Sequence, residues 1–529
     1  MSYSVTVILL SGPISVGKTL LAENLMTGYR ADHLRTSALI AASTRHNADR
    51  TDLQDVGMSP PFRGGDWLVQ AVRERVEKRG ASLVVVDAVR TREQVQALRQ
   101  GLPACRIAHI HLLAKAVLLA ERFTSRERAG DAELSWHQAM EAPAEAGTES
   151  LKSEADLVLD TTLLTPEDVT VRVVSYIRPH GRHKPNVDVL VGGQWGSEGK
   201  GNVAFYLAPE YDLLVRVGAP NAGHKVRNRK GEVYTHRQLP SGTQATTSLV
   251  LLGPGAVIDV NILLREIKDC GLSPERLTID RRALIIETED VKREVDLKKA
   301  IGSTGTGGGA AVARRIMERT QATTVRMAQD IPELASYIGD SAELFDRLQE
   351  NESVFVEGTQ GTGLSVLHGS FPHVTSRDTT VGTLLGEIGI APQLVRHVIS
   401  VFRTYPIRVG GQSGPMGREI TWETVAERSG IQLEDLLRSE RGSVSHNQRR
   451  VAEFSWSQLV TSTRLNGATD IALTFADYLD VRNRRACRFD QLAEETARFV
   501  DDIEMVARVP VSFVSVGFDG RGPIDRRQW

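Results

Sequence analysis

Cysteine is scarce in this chain: Cys105, Cys270 and Cys487 are the only three in 529 residues. Thiols so few and so far apart supply neither a disulfide framework nor a zinc-ligand spacing, so they read as small buried apolar residues of a protein in a reducing compartment. A surplus of one charge is missing too. Lys and Arg number 64 against 66 Asp and Glu, a formal net charge of -2, which disfavours bulk polyanion binding and predicts no nucleic-acid partner. No apolar run approaches a bilayer span, so no membrane association is expected. The opening MSYSVTVILLSG is short, lacks a basic flank and leads directly into a glycine loop. It reads as a strand rather than a signal peptide, and a cytoplasmic location follows. Short-period repeats and extended low-complexity tracts are also lacking; the nearest approach to a flexible insertion is APAEAGTES at 142–150.

What remains is globular, with 41% hydrophobic and 25% charged residues, and long enough for about two to four domains. Two segments begin alike, VTVILLSGPISVGKT at 5–19 and VDVLVGGQWGSEGKG at 187–201. Each is a β-branched run, then a glycine-rich turn containing Gly-Lys, then a helical segment. The pattern predicts an α/β class made of two P-loop-type three-layer α/β domains with mainly parallel sheets. Between them IRPHGRHKPNVD (177–188) is rich in Pro, Gly and basic residues. It divides the chain into 1–178, a linker at 179–186, and 187–529.

In the first half Gly12, Gly17, Lys18 and Thr19 complete G-x-x-x-x-G-K-T between a strand and a helical segment. The glycines let backbone N–H groups wrap a phosphate, Lys18 reaches the outer phosphates, and Thr19 is placed to hold magnesium. The buried-strand run SLVVV ends in Asp87, either a second carboxylate for the magnesium shell or a helix-capping residue. In ERFTSRER, Arg122, Arg126 and Arg128 share one helical face, which suits either a phosphate clamp or a solvated surface.

The second loop, QWGSEGKG at 194–201, cannot be the same motif, because only two residues separate Gly196 from Gly199. Its three glycines still form a concavity of N–H groups for phosphate, with Lys200 as a point charge. In APNAGHK (219–225), Gly223 allows close backbone approach and His224 is either a proton donor to developing phosphate charge or a structural histidine.

With these loops in place, two resemblances follow. The first half is similar to nucleoside monophosphate kinases: the P-loop, Arg35 in LRTSALI, Asp87 with Arg90, the arginine-rich segment, and ADLVLDTTLLTPEDV at 155–169. The second resembles adenylosuccinate synthetases, in their shorter archaeal and phage form, through GGQWGSEGKGN, NAGH, LPSG (239–242), AIGSTGTGGG (300–309), FVEGTQGTGL (355–364), HGSFPHVTSRDTT (368–380) and LTFADYLD (473–480). That family implies attack of a purine 6-oxygen on the γ-phosphate of GTP, then displacement of the new phosphate by the amine of L-aspartate, with Mg2+ present. It implies Ser197, Lys200, His224 and Gln360 as the catalytic positions, with Ser197 and Gly223 facing the metal. Gly196, Glu198, Gly199, Gly201, Asn221, Ala222, Thr304 and Thr375 then bind nucleotide, Asp477, Ser515 and Gly517 meet the donor's base, and Ser445 and Arg449 bind aspartate.

Three departures qualify the resemblance. The family's aspartate, which takes the N1 proton and helps hold magnesium, is Ser197 here, and a hydroxyl neutral at pH 7 is no strong base and brings no charge to the metal. Ser197 is read as an inactive site, as a site with another base such as substrate phosphate or water, or as a site for another purine. The last is favoured: Ser leaves room beside N1 for the 2-amino group of guanine, and a phage branch similar in lacking this aspartate makes the succinyl precursor of 2-aminoadenine from dGMP. Asn447 replaces an arginine that in relatives lies near the ribose 2'-hydroxyl, while Arg449 and Arg450 remain. Phe475 replaces a lysine before Asp477, to stack on a base or to fill strand core, and SVGFDG (515–520) lacks the family's proline. Both GTP and ATP stay open as donor. The arginine that relatives lend across a dimer interface falls at Glu318, beside Arg319, so a homodimer is expected by analogy alone.

The expected protein is a bifunctional enzyme of purine nucleotide metabolism, a kinase-like unit joined to a C–N ligase that favours GMP or dGMP. An IMP-dependent ligase and a non-catalytic nucleotide sensor are the alternatives.

Overall fold

The computed structural model describes residues 5–29, 31–43, 56–57, 59–125, 136–141, 147–177, 186–228, 231–320, 323–348, 352–442, 447–518 and 522–529. Arg126, Arg128, Ser445 and most of the expected linker lie outside them. The chain forms two compact units, Met1–Arg182 and His183–Trp529.

The first unit is built on β1 (Thr6–Ser11), β2 (Asp32–Arg35), β3 (Leu83–Asp87), β4 (Arg106–Leu113) and β5 (Leu157–Asp160), all parallel in the order β2-β3-β1-β4-β5. The unbroken apolar run of β1 follows from burial on both faces. Ile8 and Leu10 pack with Leu21 and Leu25 of the helix Lys18–Tyr29 and with Val169 and Val173 of Pro166–Ile177. Val7 and Leu9 point the other way, onto Leu68 and Val72 of Asp66–Arg79 and Val95 and Leu98 of Arg92–Gly101. Because successive side chains alternate across a strand, one sequence run serves two helical layers.

The second unit repeats the plan on a larger scale. Its main sheet follows the order β13-β11-β10-β7-β14-β6-β15-β19-β20-β21, with β12 also on β10. The strands are β6 (Val187–Gly192), β7 (Leu213–Gly218), β10 (Leu249–Ile258), β11 (Leu277–Asp280), β12 (Leu284–Ile285), β13 (Ile338–Gly339), β14 (Val354–Glu357), β15 (Val395–Arg403), β19 (Asp470–Thr474), β20 (Val511–Val514) and β21 (Ile524–Asp525). Only the β20–β21 pair is antiparallel among these pairings. Val189 and Val191 of the central β6 meet Leu384 and Ile388 of the helix Val381–Ile388, while Leu190 meets Val203 and Leu207 of Lys200–Leu207. Asp188 interrupts the apolar run of β6 and is fully buried. Tyr211 Oη donates to it at 2.6 Å and Arg396 Nε at 3.0 Å, so its burial leaves no unpaired charge.

Two small sheets carry loops to the carboxyl edge of this sheet. β8 (His224–Arg227) and β9 (Val233–His236) form an antiparallel ribbon. β16 (Ile407–Arg408), β18 (Arg450–Ala452) and β17 (Glu419–Ile420) form the other, with Arg449 just ahead of β18.

The α/β class with mainly parallel sheets is borne out. The reading of all three thiols as buried is not. Cys105 and Cys270 are half-buried, and Cys487 is exposed. Cys487 lies at the surface in the turn between the short 3-10 segments Val481–Arg485 and Phe489–Gln491, where its N–H donates to Gln491 Oε1 at 2.8 Å. No described helix is long and apolar enough to cross a membrane.

Candidate active sites

In the first unit the loop after β1 turns through left-handed backbone at Gly12 (φ 131°), Ser15 and Gly17. A Cβ at Gly12 would sit 2.1 Å from Leu112 O, so the close pass of β4 requires glycine there. Lys18 Nζ folds back onto its own loop, donating to Gly12 O at 2.7 Å and Pro13 O at 2.8 Å. Thr19 Oγ1 donates to Asp87 Oδ2 at 2.9 Å, and His33 Nε2 lies 3.2 Å from the same oxygen. Burial raises the Asp87 pKa, but the hydrogen bond from His33, the charge of Lys18 and the Thr19 hydroxyl outweigh it and hold the carboxyl below its ordinary range. A hydroxyl at the start of the helix after the β1 loop and an ionised carboxylate at the end of β3 suit a hard, oxygen-seeking cation such as magnesium. Arg35 is ion-paired with Glu23 at 2.8 Å, and Arg122 donates to Thr161 Oγ1 at 3.1 Å.

In the second unit the loop after β6 places Gly196 and Gly199 at φ 87° and Ser197 at φ 56°, a left-handed conformation rare for a non-glycine residue. Ser197 is exposed, whereas Glu198 beside it is fully buried. The Glu198 carboxylate accepts from Gly196 N at 2.8 Å, Gln194 N at 3.2 Å and Lys200 Nζ at 2.6 Å. The lysine read as a phosphate ligand is therefore held by an internal anion, as are three N–H groups of the other glycine loop. Gly307 N, Gly309 N and Ala310 N, at the start of the helix Gly308–Met317, donate to Glu294 at 2.7 to 3.1 Å. Thr304 is half-buried in the segment before them.

Four of the family motifs meet around two glycines. A Cβ on Gly192 would fall within 2.4 to 2.8 Å of Gln360 O, Lys200 Nζ and Glu198 Oε1. One on Gly201 would lie 3.0 Å from Lys225 O and 3.1 Å from His224 Cβ. Gln360 is itself left-handed at φ 61°, and its Nε2 donates to Thr375 Oγ1 at 2.8 Å. Arg377 Nη1 donates at 3.0 Å to Thr359 Oγ1, which in turn lies 3.4 Å from Gln360 Oε1. The amide is thereby oriented with its N–H groups toward Thr375.

His224 sits at the start of β8 with its Nδ1 hydrogen-bonded to Glu357, the last residue of β14. Ser241 gives Glu357 two further bonds, from Oγ at 2.5 Å and from N at 2.6 Å. Arg216 is fully buried 3.9 Å from Glu357 and fixes the neighbouring loops by donating to Ala222 O at 3.0 Å and Leu239 O at 2.9 Å. Burial, with the charge of Arg216, pushes the imidazole down to about 4. Burial works against ionisation of Glu357 as well, but the His224 hydrogen bond and nearby cations pull its carboxyl down to about 2. The pair is thus a neutral imidazole donating Nδ1–H to a carboxylate, with Nε2 left for whatever enters the cleft. Asn221, Ala222 and Gly223 are half-buried in the turn that precedes it.

Asp477 lies in the turn Ala476–Tyr478 after β19, joined to the 515–517 loop by Ala476 N donating to Ser515 O at 3.0 Å. Its Oδ2 accepts from Arg484 Nε at 2.9 Å, while Oδ1 is buried with no partner among the described residues. Burial raises this carboxyl to about 6 against the pull of Arg484. Ser515 Oγ and Gly517 O lie 3.4 Å apart in the loop beyond. Phe475, just past β19 at φ 57°, is half-buried against the core cluster of Tyr405, Ile407 and Trp422, and the Arg403 guanidinium lies 3.9 Å from its ring centroid, so this face is not open for stacking on a base. Arg449 Nη1 donates to buried Glu440 at 3.1 Å.

Glu357, Arg216, Arg403 and Glu440 did not figure among the sequence candidates. Two of them had a signal: Arg216 is a cation inside the apolar strand LLVRVG, and Glu357 closes a buried strand immediately before a glycine turn.

Residues 189–331 and 315–485 match the sequence model of adenylosuccinate synthetase, and residues 7–147 match that of an AAA domain. The chain is 38% identical over 349 residues to the adenylosuccinate synthetase of Methanocaldococcus jannaschii, covering 64% of this chain and 96% of the relative. The Thermococcus onnurineus enzyme is likewise 38% identical, with 64% and 98% covered. Among solved structures, the cyanophage S-2L succinoaminodeoxyadenylate synthetase bound to dGMP and dATP as an energy donor superposes with a TM-score of 0.54 at 27% identity, over 65% of this chain and 96% of that one. The fully ligated adenylosuccinate synthetase of Plasmodium falciparum shares the fold, with a TM-score of 0.57 at 21% identity over 65% and 100%. Through its second unit the chain belongs to the adenylosuccinate synthetase family, ligases of purine biosynthesis.

Proposed function

We propose that the second unit joins L-aspartate to C6 of GMP or dGMP in preference to IMP, consuming GTP or ATP, and that the first unit is a nucleotide kinase. The observation that carries the purine assignment is Ser197, exposed in the cleft loop where relatives place an aspartate. In the first step the purine 6-oxygen attacks the γ-phosphorus. The O6–P bond forms, the bond from phosphorus to the β,γ-bridging oxygen breaks, and the nucleoside diphosphate leaves. Gln360 directs its N–H groups toward the 6-oxygen, and Lys200 passes from Glu198 to the incoming phosphates. His224 Nε2, protonated when the anionic donor arrives, donates to the developing charge while Glu357 holds Nδ1. The N1 proton passes to a phosphate oxygen or water, since the Ser197 hydroxyl is no base. In the second step the aspartate amine, its carboxylate forked by Arg449, adds to C6, the C6–O6 bond breaks, and phosphate departs with the 6-oxygen and one of the amine's protons.

Magnesium fits both units. In the first, Thr19 and Asp87 would hold it; in the second, the Ser197 hydroxyl and Gly223 carbonyl are neutral oxygens, so most of the compensating charge comes from the phosphates. Bound magnesium would neutralise the phosphate oxygens and polarise the γ-phosphorus. The single open oxygen of Asp477 accepts one base N–H, as adenine offers; the paired N1–H and N2–H of guanine would require Arg484 to release Oδ2. A homodimer is carried over from the family, and exposed Ile316 and Met317 beside Glu318 suit such a contact.

The test is incubation of the purified protein with aspartate, Mg2+ and each of IMP, GMP, dGMP and dIMP, with ATP or GTP, followed by mass spectrometry. A succinylated product from GMP or dGMP is expected. Product from IMP alone would overturn the guanine preference, and no product from any pair would overturn the ligase in favour of a nucleotide sensor.

A further inference from the structure

Glu440 is almost fully buried, yet donors from the end of β15, from the turn after β19 and from the segment before β18 converge on its carboxylate. Arg403 Nη2 donates at 2.8 Å, Tyr478 Oη at 2.7 Å and Arg449 Nη1 at 3.1 Å. Burial alone would neutralise the acid, but the two guanidinium groups and these bonds hold it ionised, down to about 2. Each donor leads to a different part of the cleft. Arg403 is itself fully buried; its Nη1 reaches Ser197 O at 3.4 Å, and its face covers the ring of Phe475. Tyr478 closes the turn that carries Asp477. Arg449 precedes β18, and its backbone N–H also donates to Glu440 O at 3.1 Å.

We propose that Glu440 is a positioning residue for the ligase reaction, tying the aspartate-binding Arg449 to the phosphate loop and to the donor-base turn through one carboxylate. The inference rests on the ligase reading above. Without a carboxylate between them, Arg403 and Arg449 would repel, and Lys225, which feels both Arg449 and Glu440, adds a third positive charge to the same region. One carboxylate among three cations leaves the region positive, as a substrate with two carboxylates requires. It also engages a single nitrogen of Arg449, leaving the rest of the fork to grip aspartate. Because Arg403 bonds the Ser197 carbonyl, the same anchor fixes the loop whose conformation sets where the purine meets the γ-phosphate.

The full-length chain with Glu440→Gln keeps the shape of the side chain and removes the charge. A charge-assisted hydrogen bond lost at a buried site predicts a KM for aspartate raised about tenfold or more. Binding of dGMP, measured by calorimetry on the same preparation, should change by a smaller factor than the aspartate KM, because Glu440 reaches the purine's loop only through Arg403 and the Ser197 carbonyl, whereas it bonds Arg449 directly. Tyr478→Phe, which removes one donor and no charge, should raise the aspartate KM in the same direction by a smaller factor, and it decides the matter if Glu440→Gln does not fold. An unchanged aspartate KM in a folded variant would overturn the proposal. So would an equal rise in all three KM values with loss of dGMP binding, which is the mark of general destabilisation. Absence of succinylated product from the unsubstituted protein would instead overturn the ligase reading itself.

Discussion

His224 is neutral in the free protein because its surroundings exclude water and Arg216 lies near, with its pKa pushed to about 4. A nucleoside triphosphate brings several negative charges to Nε2, which must raise that value. Donor binding should therefore take up a proton. Calorimetry of donor binding in buffers of different ionisation enthalpy should show this uptake in the unsubstituted protein and lose it in His224→Asn. Glu357→Gln, which leaves Nδ1 without its anionic acceptor, should lower kcat by about a hundredfold with a smaller effect on the donor KM, in line with the loss of a positioned acid. His224 itself was legible in the sequence because NAGH is contiguous. Its partner was not, because Glu357 lies in a different strand and reaches His224 only once β14 and the β8–β9 ribbon are assembled. The same holds for Glu440, whose donors are Arg403, Arg449 and Tyr478: no periodicity connects the end of β15, the turn after β19 and the segment before β18, which meet only once the large and small sheets are assembled.

At the scale of elements, the glycine loops are what the sequence reveals best and what the fold tolerates least. Gly361 illustrates it. A Cβ there would stand 2.2 Å from Glu198 Oε1 and 2.5 Å from Gln194 O. Gly361→Ala should cost about 1–3 kcal/mol of stability through overpacking and displace the Glu198 carboxylate that orders the phosphate loop. Denaturant unfolding and donor binding would check both effects. The two-sided burial of β1 and β6 was readable because each is an apolar run ahead of a glycine turn, unbroken in β1 and interrupted only by Asp188 in β6. The short strands β16, β17 and β18, which place Arg449, had no such pattern: two or three residues are too few to show alternation. Phe475 was open to two readings, base stacking or strand core, and the structure is nearer the second: a left-handed backbone just past β19 turns its ring onto Arg403 and against the core cluster of Tyr405 and Trp422.

Over the whole molecule, two phosphate loops of different spacing head two units, each with its own core. Lys18→Ala should abolish nucleotide kinase activity while leaving succinylation unchanged, and loss of both activities together would contradict separate sites. Acid should weaken the second unit in two stages. Buried His224 and His236 resist protonation down to about 4 and about 3. The unfolded chain gains those protons near 6.5, so stability falls as pH drops from that value toward 4. Glu357 and Glu440, held near 2 when folded against 4.5 when free, remove more stability as pH falls from 4.5 toward 2. Glu387 and Asp477, raised when folded to about 7 and about 6, offset the histidine loss above pH 4, so melting temperature should fall most clearly between pH 4 and 2, and a rise within that window would contradict the assigned protonation states. The central claim, that Ser197 turns a synthetase of this family toward a 2-amino purine, is tested most directly by competition. Equal dGMP and IMP are offered to the protein and to its Ser197→Asp variant, with aspartate, Mg2+ and ATP, and the two succinylated products are counted by mass spectrometry. An excess of the 2-amino product is expected from the unsubstituted protein and a shift toward the IMP product from the variant; an excess of the IMP product from the unsubstituted protein would contradict the guanine assignment.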